Sequence, residues 1–199
     1  MTDSVIDLSH WQAPVNFGTL RTSGIQAVIL KATQGSSWID PTFMARSTAA
    51  QIAGLLVGAY HFADASNPIA QAAHFLTIAG GLPRLAVDIE PNGMGDTVSI
   101  AQAAELVARL QAVTDRLPLV YIGRYGPTGT GAGLPNSVLS RCPLWLYETE
   151  SAVARLPAGW ATWCLWQYDQ NARVAGVGSI CDRSRFNGTA DQLAAWWGS

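Results

Sequence analysis

The sequence has few charged residues, and this shortage excludes several kinds of partner. Only 13% of the 199 residues are charged, the formal net charge is -2, and there is no run of Lys or Arg. Nucleic acids and anionic membranes are bound by clustered positive charge, so neither partner is expected. The apolar segment Ile52 to Ala63 is too short to span a bilayer and contains His61 and two glycines, so membrane insertion is not expected.

Cysteine and histidine are also scarce. Cys142, Cys164 and Cys181 are odd in number and are not spaced as metal ligands, so we expect three reduced, mostly buried thiols. No residue at metal-ligand spacing accompanies His61, and no metal or cofactor is expected. Eight Trp residues stand against three His, which indicates flat apolar surfaces for core packing or for stacking on sugar rings.

The length and the N-terminus suggest a simple organisation. At 199 residues the chain can bury a substantial core, and residues 1–199 are expected to form a single domain. The segment Met1 to Ser4 carries no positive region, and no apolar stretch of signal-peptide length precedes the first predicted strand. We therefore expect synthesis in the cytoplasm without a signal peptide.

Two acids end one apolar run. Asp88-Ile89-Glu90 follows Leu82 to Val87, which is bounded by proline and predicts a buried strand. Residues two apart on a strand share a face, so both carboxyl groups point the same way. Burial and mutual repulsion raise the pKa of such acids and make a proton donor available near neutral pH, which glycoside hydrolysis requires. The alternative is a structural acid pair held by salt bridges or caps.

The hydrophobic pattern predicts an α/β fold. Strands are predicted at Ser4 to Leu8, Ala27 to Ala32, Leu56 to Phe62, Leu85 to Glu90, Leu119 to Gly123, Leu144 to Glu148, Thr162 to Asp169 and Ser179 to Arg185. Helices are predicted at Pro41 to Ile52, Asn67 to Ile78, Ser99 to Thr114 and Ala190 to Trp197, and a loop at Gly126 to Gly133. Early strands alternate with helices and late ones do not. This favours a modified TIM-like β/α barrel of about eight strands, five helix-linked and three with few helices, over a doubly wound open sheet.

Polar and aromatic residues lie near the predicted strand ends, where parallel barrels carry their active sites. The candidate catalytic residues are Asp7, Asp88, Glu90 and Asp182, and the candidate substrate-binding residues are Lys31, Tyr60, His61, Tyr121, Trp145 and Gln167. Together they would line a sugar-sized cleft. Each also has a structural alternative: Asp7 as a turn residue, Lys31 as the partner of an acid, and His61 as a hydrogen-bonded core histidine.

Ordered segments along almost the whole chain resemble glycoside hydrolase family 25, the Chalaropsis-type lysozymes. They are Asp7 to Gln12, Lys31 to Gly35 with Asp40 to Phe43, Ala53 to Phe62 with Gln71-Ala72, Asp88 to Glu90, Trp145-Leu146, Leu165 to Tyr168, and Asp182 with Phe186 to Gly188. The resemblance implies the same barrel and N-acetylmuramidase activity on peptidoglycan glycan strands. It also implies that Glu90 is the general acid and that Asp88 orients the substrate's N-acetyl group or stabilises the intermediate, with Asp7 and Asp182 as the other acids.

The resemblance favours retention of configuration, with the 2-acetamido group as internal nucleophile. Two other functions stay open: a catalytically silent carbohydrate-binding barrel, and a chitin-active glycosidase of similar fold.

We expect a monomer that acts on the cell wall after release, as a phage endolysin or an effector, or after export by an unidentified route. Tyr147-Glu148-Thr149-Glu150 departs from the family pattern and places extra negative charge near the predicted cleft.

Overall fold

The computed structural model describes residues 1–93, 95–124, 126, 134–135, 137–149 and 156–198. In chain order its strands are β1 (Thr2–Leu8), β2 (Ala27–Gln34), β3 (Trp38–Ile39), β4 (Leu56–Phe62), β5 (Arg84–Ile89), β6 (Leu119–Gly123), β7 (Leu144–Tyr147), β8 (Leu165–Ala172) and β9 (Cys181–Phe186). All except β3 form a barrel that closes between β9 and β1, and β3 pairs antiparallel with the end of β2. The barrel prediction is confirmed, and the doubly wound open sheet is wrong.

Helices connect the first five strands of the barrel. They are α1 (Phe17–Thr22), α2 (Phe43–Ile52), α3 (Pro68–Ala79) and α4 (Ile100–Thr114), and α5 (Ala190–Gly198) ends the chain. Side chains cap the starts of α3 and α4: Asn67 accepts two backbone N–H bonds at the start of α3, and Ser99 forms a capping box with Gln102. In the described residues between β6 and β9 the only helical element is the 3₁₀ turn Val138–Arg141, as the late part of the sequence pattern predicts.

Two apolar layers hold the barrel together. The outer layer lies between the sheet and the helices, and the inner layer fills the barrel from the end at which the parallel strands begin. Helix α5 closes this end, because Trp197 is buried in the inner layer and its Nε1 donates to the carbonyl of Val57 at 3.1 Å. A Cβ atom at Gly58 would lie 3.1 Å from the Trp197 ring, so glycine lets this ring approach the strand without being displaced. The opposite end of the barrel is left open.

One strand runs against the direction expected of a parallel barrel. β9 is antiparallel to both of its neighbours, β1 and β8. The start of β9 therefore lies at the rim where the parallel strands end. Asp182 reaches this rim from the beginning of its strand, directly opposite Asp7 in the pairing register.

Several element boundaries differ from the prediction. α1 and β3 were not predicted, because both are too short to show a periodic pattern. α2 begins at Phe43 rather than Pro41, and its N-cap residue is Thr42 rather than Asp40. The Asp40 carboxylate instead accepts hydrogen bonds from the backbone N–H and hydroxyl of Thr42, and from the backbone and ring of His10.

Two sequence features fall wholly or mostly outside the described residues: the predicted loop Gly126 to Gly133 and Glu150. None of the helices in the described ranges combines the length and apolarity that a membrane crossing demands. The three cysteines are free thiols, with Cys142 and Cys181 buried and Cys164 half-buried.

Candidate active site

The inner face of the barrel changes from apolar to polar toward its open end. Residues two apart on a strand share a face, so each inner apolar residue is followed by a polar one above it. These pairs are Val5 and Asp7, Ile29 and Lys31, Ala86 and Asp88, Leu119 and Tyr121, and Leu165 and Gln167. The apolar layer thus supplies a rigid floor, and the polar layer lines a cleft above it.

The cleft has two connected parts. The inner cavity, of about 100 Å³, is lined by Asp7, Tyr60, Asp88, Glu90, Tyr121, Trp145, Gln167, Gln170 and Asp182. The outer cavity, of about 650 Å³, is lined by His10, Trp11, Lys31, Gln34, Gly35, Ser36, Ser37, Trp38, Phe62, Asp64, Glu90, Pro91, Asn92 and Gly93. Glu90 lines both, so its carboxyl group lies where the two cavities meet.

Asp7 and Asp182 form a carboxyl pair. Their side chains are hydrogen-bonded to each other, and Gln167 also hydrogen bonds Asp182. Burial raises the pKa of Asp182 to about 6, and burial together with the charge of Asp182 raises that of Asp7 well above its ordinary value. Two hydrogen-bonded acids of this kind share a proton, so the pair carries less negative charge than two free carboxylates.

Asp88 and Glu90 face the same cleft, as the strand spacing predicts. Asp88 is 6% exposed, and burial together with the charge of Glu90 raises its pKa well above the ordinary value. Burial also raises the pKa of Glu90, while the positive charge of Lys31 works in the opposite direction. One carboxyl oxygen of Asp88, Oδ1, is buried and has no hydrogen-bond partner among the described residues, so an acceptor is left unused.

Position, rather than intrinsic pKa, separates the two acids. The higher intrinsic pKa of Glu is one sequence argument for Glu90 as the proton donor. In the structure the pKa values of both acids are raised, and Asp88 is the more deeply buried of the two. Only Glu90, however, reaches the junction of the two cavities, where a bond between two sugars would lie.

The aromatic candidates line the inner cavity. Burial, followed by the nearby carboxylates, raises the pKa of Tyr60 and Tyr121 well above the ordinary tyrosine value, so both hydroxyls stay protonated. Neither has a hydrogen-bond partner among the described residues, and both can donate to a ligand. Trp145 packs edge-on against Tyr121 at 4.9 Å and donates from Nε1 to Ser184 at 3.0 Å, so it forms the floor of the cavity.

His61 is the one candidate that does not join the site. It follows Tyr60 on β4, so its side chain points to the outer face of the barrel, toward α3. It is fully buried there, with Nδ1 at 2.8 Å from Thr33 and Nε2 at 3.0 Å from Gln71. Burial lowers its pKa to about 4. The structure therefore corrects the substrate-binding assignment and supports the alternative of a hydrogen-bonded core histidine.

Two tryptophans of the cleft were not among the predicted site residues. Trp11 is 76% exposed and stacks on His10 at 4.5 Å, and Trp38 is 38% exposed and contacts the same ring at 5.4 Å. The Asp40 carboxylate accepts a hydrogen bond from the backbone N–H of His10. Arg46 donates to the carbonyls of Ser9 and Gln12 and so fixes the loop that carries Trp11. The sequence did indicate Trp11, because it belongs with His10 to the segment Asp7 to Gln12, one of the segments that resemble glycoside hydrolase family 25.

The segment that follows Trp145-Leu146, which departs from the family pattern, has a structural role. The backbone N–H of Glu148 donates to the carbonyl of Gln167 at 3.2 Å, and its carbonyl accepts from Nε1 of Trp166 at 2.7 Å. The hydroxyl of Tyr147 donates to Gln170, a residue of the inner cavity, at 3.2 Å. The segment thus ties β7 to β8 at the rim.

Four acids that line a sugar-sized cleft, with Glu90 at the junction of its two cavities, define a class of enzyme. A raised-pKa carboxyl group beside a second carboxyl group is the arrangement used to protonate a glycosidic oxygen and to stabilise the positive centre that forms. Among the described residues, no group of three or more His, Cys, Asp or Glu side chains is arranged to hold a metal ion. The fold and the site are those of a glycoside hydrolase.

The chain belongs to the family described as Glycosyl hydrolases family 25, whose model matches residues 6–177. Lysozyme M1 of Streptomyces globisporus is 35% identical over 96% of this chain and 69% of its own length. The N,O-diacetylmuramidase of Chalaropsis sp is 30% identical over 94% of this chain and 95% of its own. The crystal structure of the bacterial lysozyme from Streptomyces coelicolor superimposes with a TM-score of 0.86 at 34% identity, covering 100% and 99% of the two chains.

Asp182 lies outside the matched range, and the antiparallel strand β9 is what brings it into the site.

Proposed function

We propose that this glycoside hydrolase is a lysozyme that cleaves the β-1,4 bond between N-acetylmuramic acid and N-acetylglucosamine in peptidoglycan. The observation that carries the proposal is the position of Glu90 at the junction of the two cavities, with Asp88 behind it in the inner cavity. Relatives over nearly the whole chain bear the names lysozyme and N,O-diacetylmuramidase. The four acids that line the cleft argue against a silent carbohydrate-binding barrel.

The inner cavity fits an acetamido group better than a sugar ring. Its volume of about 100 Å³ has room for roughly three water molecules. The unpartnered Oδ1 of Asp88 can accept the acetamido N–H, and the hydroxyl of Tyr60 or Tyr121 can donate to the acetamido carbonyl. These contacts would hold the carbonyl oxygen against the anomeric carbon of the same sugar.

Substrate assistance follows from this placement. The acetamido oxygen attacks the anomeric carbon as the glycosidic bond breaks, and Glu90 gives its proton to the departing oxygen. The product of this step is a cyclic oxazolinium ion, whose positive charge the Asp88 carboxylate stabilises. The Glu90 carboxylate then takes a proton from water as the water oxygen attacks the anomeric carbon and the ring opens. Two displacements at one carbon restore its β configuration.

The outer cavity would hold the glycan strand on one side of the scissile bond. Trp11 and Trp38 line it, and the hydrogen bonds of Asp40 and Arg46 hold the loop that carries Trp11. Stacking on flat apolar faces is how tryptophan binds sugar rings.

Product analysis tests the proposed bond specificity. Purified peptidoglycan is digested and the new reducing ends are converted to alditols by borohydride. We expect muramitol, because cleavage after N-acetylmuramic acid leaves that sugar at the reducing end. Glucosaminitol would instead identify a glucosaminidase, and binding without new reducing ends would identify a carbohydrate-binding barrel. Release of reducing ends from chitin, in amounts equal to those from peptidoglycan, would favour the chitin-active alternative.

The stereochemistry of the first product tests the mechanism. We expect the β anomer to form first from the β-linked substrate, before mutarotation, as observed by proton NMR during rapid digestion of a soluble glycan. An α anomer formed first would exclude substrate assistance, because it requires a single inverting displacement.

The oligomeric state, the domain organisation and the place of action of the enzyme stay predictions. The monomeric state, the single-domain organisation and release as an endolysin or effector are expectations from the sequence. We propose the cell wall as the place of action because the proposed substrate is found there.

A further inference from the structure

Lys31 is the only lysine of the chain, since the other eleven of its twelve Lys and Arg residues are arginine. It lies near the end of β2 and is 9% exposed. Its ammonium group sits over two aromatic rings, 4.7 Å from the centre of Phe62 and 5.2 Å from that of Trp38. These rings hold the charge at the wall of the outer cavity.

The hydrogen bonds of this ammonium group are not satisfied by the described residues. Nζ has three N–H donors, and its only hydrogen-bond partner there is Oε1 of Gln34 at 2.8 Å. No carboxylate in the described part of the chain lies within 4.0 Å of it. A buried charge is normally paired, so two unused donors that line a cavity indicate a ligand that supplies acceptor oxygens.

The charge of the cleft limits which chemical group of a substrate could accept hydrogen bonds from Lys31. Asp7, Asp64, Asp88, Glu90 and Asp182 make the two cavities acidic, and Lys31 is the only Lys or Arg among their described lining residues. A hydroxyl group alone does not require a buried ammonium. The lactyl substituent of N-acetylmuramic acid carries a carboxylate, or an amide carbonyl where a peptide is attached, and either is a strong acceptor. Without a cation, the acidic cleft would disfavour the free carboxylate.

We propose that Lys31 is a specificity-determining residue that hydrogen bonds an oxygen of the lactyl group of N-acetylmuramic acid. The contact rests on the proposed function and deepens it, because chitin lacks the lactyl group and leaves the ammonium unpaired. A muramyl ligand gains a hydrogen bond from Lys31 that chitin cannot make, which gives the cleft its preference for peptidoglycan over chitin.

Binding is tested in the Glu90→Gln background, in which no ligand is consumed. The two probes are the tetrasaccharide of alternating N-acetylglucosamine and N-acetylmuramic acid, and chitotetraose, measured by calorimetry. We expect Lys31→Met to weaken binding of the muramyl probe about tenfold or more, the usual effect of losing a hydrogen bond to a charged group, and that of chitotetraose less than about twofold. Lys31→Arg is expected to restore part of the muramyl affinity.

The single lysine permits a second measurement that does not depend on any variant. With lysine labelled by ¹⁵N, the Glu90→Gln protein gives one side-chain Nζ signal, which is followed in titrations with each probe. A shift with the muramyl probe that is larger than the shift with chitotetraose supports the contact. Equal shifts, or equal loss of affinity for both probes in Lys31→Met, would overturn it.

Failure of the proposed function would look different. In that case wild-type protein would release no muramic acid reducing ends, whatever the binding preference of the Lys31 variants. Wild-type release of those ends, together with equal binding of both probes, would overturn the lactyl contact alone.

Discussion

Glu90→Gln is expected to lower turnover on purified peptidoglycan by about 10² to 10⁴-fold, the usual contribution of a positioned general acid. The glycosidic oxygen is a poor leaving group unless it is protonated as the bond breaks, and glutamine keeps the shape of Glu90 without the proton. The side chain is half-buried at the cavity junction and makes no hydrogen bond to the other described residues. The melting temperature should therefore fall little or rise. Reducing-end release and thermal unfolding measure the two effects.

Glu105→Gln is the matched control for this prediction. Glu105 is exposed on α4, outside both cavities, so the same chemical change there should leave turnover within about twofold of wild type. Turnover of Glu90→Gln within tenfold of the control, with the fold intact, would remove Glu90 from the role of proton donor. Equal losses in both variants would point to a general effect of charge on binding to the wall.

The rule that residues two apart on a strand share a face explains which site residues the sequence could predict. Asp88 and Glu90 are two apart and share a face, and both reach the cleft. Tyr60 and His61 are neighbours on one strand, so only one of them could face the barrel interior. The apolar residues of β4 did not indicate which one, because both faces of a barrel strand are buried. Burial on both faces removes the alternation from which the orientation of a strand is read.

Other features of the site depend on contacts between distant segments. The reversed direction of β9 follows from its pairing with β1 and β8. The hydrophobic pattern of a strand does not indicate whether the strand runs parallel or antiparallel to its neighbours. The proton shared by Asp7 and Asp182 is a consequence of that pairing. The position of Trp11 depends on a loop held by Asp40 and Arg46, and loop geometry is not encoded by periodicity. The position of Trp38 depends on the pairing of the two-residue strand β3 with β2.

Asp88→Asn is expected to reduce turnover by about 10² to 10³-fold while raising the melting temperature at neutral pH. The activity is lost because a neutral amide cannot stabilise the positive intermediate as a carboxylate does. The stability is gained because Asp88 is a buried acid beside Glu90, with Oδ1 unpartnered, and an amide is free of the cost of ionisation there. Active sites commonly hold such groups at the expense of stability.

The gain in stability should depend on pH with a definite sign. The pKa of Asp88 is raised in the folded chain, so the folded state holds its proton more tightly than the unfolded state does. The free energy of unfolding of the wild type then falls as pH rises from the ordinary Asp value through the raised one. Melting temperatures of wild type and Asp88→Asn should differ least near pH 4 and most near pH 7, in about the range where Asp182, with a pKa of about 6, also ionises.

Asp40→Asn provides the control of opposite sign. Burial works to raise the pKa of Asp40, but hydrogen bonds from Thr42 and His10 outweigh it and hold the pKa below its ordinary value. The Asp40 carboxylate therefore stabilises the fold above that value, and its replacement should lower the melting temperature more at pH 7 than near pH 3. A lower melting temperature at pH 7 for both variants would show that Asp88 supports the fold rather than straining it. The four acids would then be a structural network before they are a catalytic one.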